Sequence, residues 1–169
     1  LKNNVTIDGK AFFFERSFAY QLVSVDTQVL TFDDVRKGFE FERLFSIITE
    51  GITLEKKNKD AIKIPFKDSP KVVITTNYAI SGSGNSYERR KWELEFFAHY
   101  SKSYTPHDEF GKLFFAEWDE DEWCKFDNYM LKCLQIYLTS GFKAAPFKNL
   151  KDRKFEGSTK REFVTFIKE

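Results

Sequence analysis

Two adjacent carboxylates, Asp33 and Asp34, close a short apolar run, Gln28-Val29-Leu30-Thr31-Phe32. A pair of this kind at a strand end suits nucleoside triphosphate hydrolysis. One carboxylate holds Mg²⁺ through water, and the other orients and deprotonates the attacking water. Strand ends are suitable because ligands of parallel α/β sheets sit outside the carboxyl ends of the strands. The same dipeptide also serves as a turn or a helix cap. Thr75-Thr76-Asn77 end a second apolar run, Lys71-Val72-Val73-Ile74, where an Asn can hold the attacking water or touch a γ-phosphate. A turn is the plainer role for that Asn. Lys56, Lys57 and Lys59 cluster between two alternating segments. Lysines on a protruding hairpin suit the phosphates of a single strand, and equally a solvated edge that resists aggregation. Arg89 and Arg90 follow a Gly/Ser stretch, and an arginine supplied by a neighbouring subunit can stabilise phosphoryl-transfer charge.

The elements that must position these groups are read from periodicity. Strands are expected at 11–14, 20–25, 28–32 and 71–76, and a helix from about Phe39 to Thr49 with Phe41, Leu44, Phe45 and Ile48 at helical spacing and Gly51 as its stop. Residues 52–56 and 61–65 alternate about Lys57-Asn58-Lys59-Asp60, which predicts a hairpin. Ser81 to Asn85 reads as a loop without a following helix, and Trp92 to Phe97 as a strand. Thr105-Pro106 opens a helix expected to reach Trp118, and a second is expected over 120–138, ending near Gly141, with Trp123, Phe126, Met130, Cys133, Leu134 and Tyr137 along one stripe. Ala144-Ala145-Pro146 reads as a linker and 160–168 as a last short helix.

Composition narrows the function classes. Of 169 residues, 41% are hydrophobic and 31% charged, the profile of a folded globular chain. A net charge of +1 excludes a strongly basic nucleic-acid wrapper, although charge is uneven. Lys56, Lys57, Lys59, Lys63, Lys67 and Lys71 crowd one segment, acids dominate 93–127, and bases return after 143. Two cysteines cannot form a disulfide framework, and with His99 and His107 they make no metal set. No run is long and apolar enough for a membrane span, and no signal peptide is visible, so a cytoplasmic location and no membrane partner are expected. Asp119 to Glu122 sit where a helix dipole favours acids rather than as a glycosidase pair. The 20 phenylalanines are spread over every element and read as core. The chain begins at Leu1 and its single methionine is Met130, which reads as a piece of a longer polypeptide.

Taken in order, the features form a succession: an apolar strand ending in Asp-Asp, a helix, a glycine, a lysine-tipped hairpin, Pro70 to Asn77, then Arg89-Arg90 and Phe96. This resembles the ATPase core of superfamily 3 helicases, in particular primase–helicases of phages and bacterial mobile elements. Residues 29–34 look like Walker B, 50–66 like the B-prime hairpin, and 70–77 like motif C, whose Asn is sensor 1. Arg90, six residues before Phe96, is similar in position to the arginine finger, and Arg89 is the alternative. The likeness covers about residues 20–100 closely.

The resemblance implies an α/β fold: a partial P-loop NTPase (AAA+-like) core with a β-hairpin insertion, followed by a helical C-terminal part. In domain terms it implies an incomplete ATPase core at 1–100, a helical segment packed on it at 101–141, and a basic linker and terminal helix at 142–169. It assigns Asp33 to Mg²⁺ through water, Asp34 as the water-activating base, Asn77 as γ-phosphate sensor, Arg90 or Arg89 as the trans-acting arginine, and Lys56, Lys57 and Lys59 to DNA. The intact protein is expected to use ATP and Mg²⁺ and to self-associate as a hexameric ring on single-stranded DNA. One departure stands out. Walker A is absent, because Asp8-Gly9-Lys10-Ala11 lacks the earlier Gly and the Ser/Thr, and Lys10 lies only 23 residues before Asp33. A phosphate loop upstream of Leu1 is therefore expected, with no nucleotide bound tightly to these residues alone. The competing expectation is a non-enzymatic DNA-binding or assembly module that keeps the hairpin and does not hydrolyse ATP.

Overall fold

The computed structural model describes residues 3–147, 149–150, 153–155, 159, 163 and 166. They divide into two compact units, Leu1–Glu93 with Asn149–Glu169, and Leu94–Lys148.

The first unit is built on a three-stranded parallel sheet. Strands β1 (Asn4–Asp8), β2 (Val29–Asp33) and β5 (Lys71–Ile74) lie in the order β1-β2-β5, with Asp8 opposite Asp33 and Phe32 opposite Ile74. Leu30 and Phe32 of the central strand share one face and are fully buried, while Val29 and Thr31 on the other face are half-buried. A separate antiparallel pair, β3 (Gly51–Leu54) and β4 (Ile62–Pro65), buries Ile52, Leu54 and Ile64. This is the expected hairpin. Gly51, at φ +115°, lies so close to the Ile64 carbonyl that a Cβ there would collide with it.

Strand β1 is not among the expected strands. It is short and partly polar, and it occupies the β2 edge that the apolar segments nearby fail to reach. Residues 11–14 and 20–25 form turns and irregular backbone instead of strands. Their backbones close locally, with Gln21 N–H donating to Phe18 O and Val23 N–H to Tyr20 O, each at 2.9 Å. Their side chains serve the core. Phe12 lies edge-on to Phe32 with centroids 4.9 Å apart, Phe14 reaches Phe39 at 5.4 Å, and Val23 is fully buried. The 39–49 helix is only partly α-helical. A 3₁₀ turn, Phe41–Leu44, leads into α1 (Phe45–Thr49), and the buried positions are Phe41, Leu44 and Ile47, a spacing of three. The Gly/Ser loop is followed by a helical turn after all, α2 (Asn85–Glu88). Residues 92–97 form no strand and belong to neither sheet of the described residues; Phe96 is 85% exposed.

The second unit is helical. In α3 (Pro106–Phe110), Thr105 and Asp108 form a capping box, and Pro106 stands at the first turn. The helix stops at Gly111 in the left-handed conformation, well short of Trp118. Helix α4 (Glu120–Ser140) has a second capping box, Asp119 with Glu122, and a first turn of three acids that suits the dipole. Phe115, Trp118, Trp123 and Phe126 cluster at its start, with Phe115 and Trp118 centroids 4.5 Å apart. The expected core stripe ends there. No α4 residue is buried, and Met130, Leu134 and Tyr137 are exposed. Only Phe12, Phe32, Phe39 and Phe41 among the described phenylalanines are buried, so the phenylalanine excess is not mainly core. Residues 142–147 carry no regular structure. The expected helix at 160–168 lies outside the described residues apart from Phe163 and Phe166.

Candidate active site

Parallel pairing delivers the carboxyl ends of β1, β2 and β5 to one edge of the sheet, where the three following loops meet. Gly9 N–H donates to Asp33 O at 2.6 Å, and Val35 N–H donates to Thr75 O at 2.9 Å. A side chain at Gly9 would crowd the Asp33 carbonyl, with Cβ 2.7 Å from it, so the close approach of these loops needs glycine.

Thr75 organises this edge. Its hydroxyl donates to Asp33 Oδ1 at 2.6 Å and accepts from the Asp34 backbone N–H at 2.7 Å. One hydroxyl therefore fixes the first carboxylate and the backbone of the second. Asn77 Nδ2 donates to Asp34 Oδ1 at 3.3 Å. Thr76 turns the other way, its hydroxyl donating to Val35 O at 3.1 Å and accepting from Tyr78 N–H at 3.0 Å. Asp34 has φ +51°, a left-handed conformation that Asp tolerates better than most residues. Its side chain is 39% exposed, within reach of a ligand.

Lys10 completes the cluster. Its ammonium forms an ion pair with Asp34 Oδ2. The hydrogen bond to Asp34 and the charge of that carboxylate raise the Lys10 pKa above the ordinary lysine value, so the ammonium stays charged. The backbone around Lys10 is not a phosphate loop. Gly9 N–H goes to Asp33 O, and Asp8 Oδ1 accepts from the N–H groups of Lys10 and Ala11 at 2.9 and 3.3 Å. Three successive amides that would face a phosphate are committed within the chain.

The structure thus brings together Asp33, Asp34 and Asn77 and adds Lys10, Thr75 and Asp8. Thr75 and Asp8 escape sequence reasoning because their role depends on strand register, and β1 is too short and polar to register as a strand by pattern. Lys10 does carry a signal, an Asp-Gly-Lys at a strand end, but its partner Asp34 is set by the fold rather than by the phosphate-loop pattern it partly matches.

Arg89 and Arg90 are not part of this cluster. They follow α2 and line a cavity with Lys71 and Val72, at the opposite, amino end of β5. Tyr87 anchors this turn: its hydroxyl donates to Glu42 Oε2 at 3.1 Å and its ring meets Phe45 edge-on at 4.9 Å. Arg90 lies over the same Phe45, its guanidinium 4.7 Å from the ring centroid, while Arg89 is exposed. Lys56, Lys57 and Lys59 sit at the hairpin tip, where Lys59 N–H donates to Lys56 O at 3.2 Å and Asn58 has φ +56°. Lys57 and Lys59 are exposed, and none of the three lysines is ion-paired among the described residues.

Among the described residues, no group of three or more His, Cys, Asp or Glu stands together as a metal cage, and no helix is long and apolar enough to cross a membrane. No family model, no curated protein and no solved structure matches the chain.

Proposed function

We propose that the chain supplies the hydrolytic edge of a P-loop, AAA+-like ATPase in a replicative DNA helicase of the primase–helicase type. In this reading ATP hydrolysis drives a hexameric ring along single-stranded DNA of a phage, plasmid or other mobile element. The observation that carries the reading is the cluster at the carboxyl ends of β2 and β5: Asp33, Asp34 and Asn77 joined by hydrogen bonds, with Thr75 between the two acids.

Each residue has a role that follows from its contacts. Thr75 holds one oxygen of Asp33 and leaves Oδ2 open to a hydrated cation. A single carboxylate of this kind fits Mg²⁺, which keeps much of its water and takes one or two carboxylates plus substrate phosphates. When bound, the Mg²⁺–nucleotide brings the charge neutralisation that phosphoryl transfer needs. Asp34 accepts the proton of the attacking water once Lys10 or Asn77 yields an oxygen. Asn77, on the same carboxylate, orients that water. Arg89 fits the trans-acting role better than Arg90, because it is exposed while Arg90 is stacked on Phe45. The hairpin lysines contact the DNA phosphates.

The test is ATP turnover of the full-length protein that carries these residues. Asp34→Asn should bind nucleotide normally and lose hydrolysis by about 100-fold or more. Wild-type turnover in that variant sinks the assignment.

The second reading is a DNA-binding or assembly module without hydrolysis. It is favoured by one observation: the amides of Gly9, Lys10 and Ala11 are all committed internally, so these residues offer no phosphate cradle. A full-length protein that binds DNA through the hairpin and never turns over ATP would establish it.

A further inference from the structure

The amino end of β5 carries a cavity of about 400 Å³. Its floor is apolar, formed by Ile47 and Ile48 of α1 with Phe66, Pro70 and Val72. Its charged lining residues are Lys71, Arg89 and Arg90, and no acid among the described residues lines it. Arg90 is held from two sides. Its guanidinium stacks over Phe45 at 4.7 Å, and Nη1 donates to Ser86 O at 3.0 Å. Its Nε is buried and has no acceptor among the described residues. Arg90 therefore keeps a donor that nothing among the described residues satisfies, on a side chain whose planar fork pairs readily with carboxylates. Lys71 rests its ammonium over the Phe66 ring at 5.0 Å and pairs with no acid among the described residues.

Three cations without an acid, and an arginine N–H without an acceptor, call for an oxyanion. The cavity lies toward the small end of ligand pockets, with room for one or two side chains. No glycine and no helix N-terminus of adequate length lines it, so the backbone cradle that phosphates favour is missing. The apolar floor asks for an apolar body beside the charge. A carboxylate flanked by aromatic residues meets both demands.

The chain itself carries such a segment. Glu120 and Asp121 stand in the first turn of α4, exposed, with side chains that form no hydrogen bond or ion pair among the described residues. Trp123, just after them in the same helix, is also exposed, and exposed Phe115 packs on it with ring centroids 5.9 Å apart. We propose that the cavity receives the Glu120–Asp121 turn of a second copy of this chain, with its carboxylates facing Arg90 and Lys71. The contact names a partner surface for the ring and rests on the self-association in that reading, not on its chemistry.

Sedimentation velocity of the nucleotide-free, DNA-free chain tests this. The wild type should associate as concentration rises, and added salt should weaken the association. Glu120→Lys/Asp121→Lys and Arg90→Gln should each weaken it by about tenfold or more. A mixture of the Arg90→Glu chain with the Glu120→Lys/Asp121→Lys chain should associate where neither does alone. The acid variant changes only exposed side chains of the other unit, so it decides the matter even where an Arg90 variant fails to fold. A wild type that stays monomeric, or association unchanged by the acid variant, overturns the proposal. So does Arg90-dependent binding of a single-stranded oligonucleotide by a chain that does not self-associate. Failure here leaves the hydrolytic reading standing, since Asp34→Asn turnover tests that separately.

Discussion

The ammonium of Lys10 closes on the carboxylate of Asp34 across 24 positions of sequence. It meets Oδ2, and Asn77 meets Oδ1, so both oxygens of the proposed base are engaged before any substrate arrives. Because the Lys10 pKa is raised, the pair is complete below the ordinary lysine pKa and is lost only as pH rises through the raised value. It therefore persists at neutral pH and acts on geometry rather than as a titrating switch. Replacing Lys10 with Met should leave the melting temperature nearly unchanged, because the pair is exposed. ATP turnover of the full-length protein should fall on the order of 10-fold to 100-fold, as expected when a reacting group loses its orientation, with KM little altered. Steady-state kinetics beside a thermal melt checks both halves.

A second prediction concerns the hydroxyl that spans the acids. Thr75→Val keeps the shape and removes the donor to Asp33 and the acceptor for Asp34 N–H. Stability should drop by no more than about 1 kcal/mol, since water can replace these bonds at an exposed site. Turnover should fall far more than stability, and Thr75→Ser should restore most of it. Equal loss in the Ser and Val variants would show that the methyl, not the hydroxyl, matters.

These contacts also mark what the sequence makes legible. Asp33, Asp34 and Asn77 are legible from their order along the chain, because apolar runs that stop at polar residues locate strand ends. Helix α4 is legible because a capping box, an acidic first turn and a terminal glycine agree. Thr75 is not, since a hydroxyl gains its role only when β5 pairs in register with β2. The segments 11–14 and 20–25 mislead for a physical reason. Apolar residues mark burial, and Phe12 and Val23 are buried, but a turn buries them as well as a strand does. Trp92 to Phe97 mislead in the opposite sense, with strand composition but no place in either sheet of the described residues.

Tyr20 offers a test of the core by pH. Burial pushes its phenol up to about 12, with Arg43 opposing only weakly, while in the unfolded chain it titrates at the ordinary tyrosine value of 10.0. The folded state therefore holds this proton more tightly. The associated stability is full below about pH 10 and is lost as pH rises toward 12, by up to about 2–3 kcal/mol for this shift. Tyr20→Phe removes that slope. Urea unfolding at about pH 9 and about pH 11.5 should show the wild type losing more stability than the variant. Parallel losses would mean that Tyr20 is not buried as its packing on Phe12 implies.

The hairpin gives the most direct test of contact with DNA. Ile52, Leu54 and Ile64 anchor it in the core while Ile62, nearer the tip, is exposed, so the tip can change without disturbing the fold. Lys56, Lys57 and Lys59 form no ion pair there among the described residues, and replacing all three with Ala should leave the melting temperature within about a degree or two. Each lysine that meets a phosphate of a single strand releases counterions worth a slope of about −0.7 in log K against log salt. The triple variant should therefore bind single-stranded DNA more weakly and flatten that slope by about 2 if all three make contact. Fluorescence anisotropy over a salt series reads both quantities. An unchanged slope assigns the lysines to solubility and edge protection, the role that lysines on an open hairpin serve without any ligand.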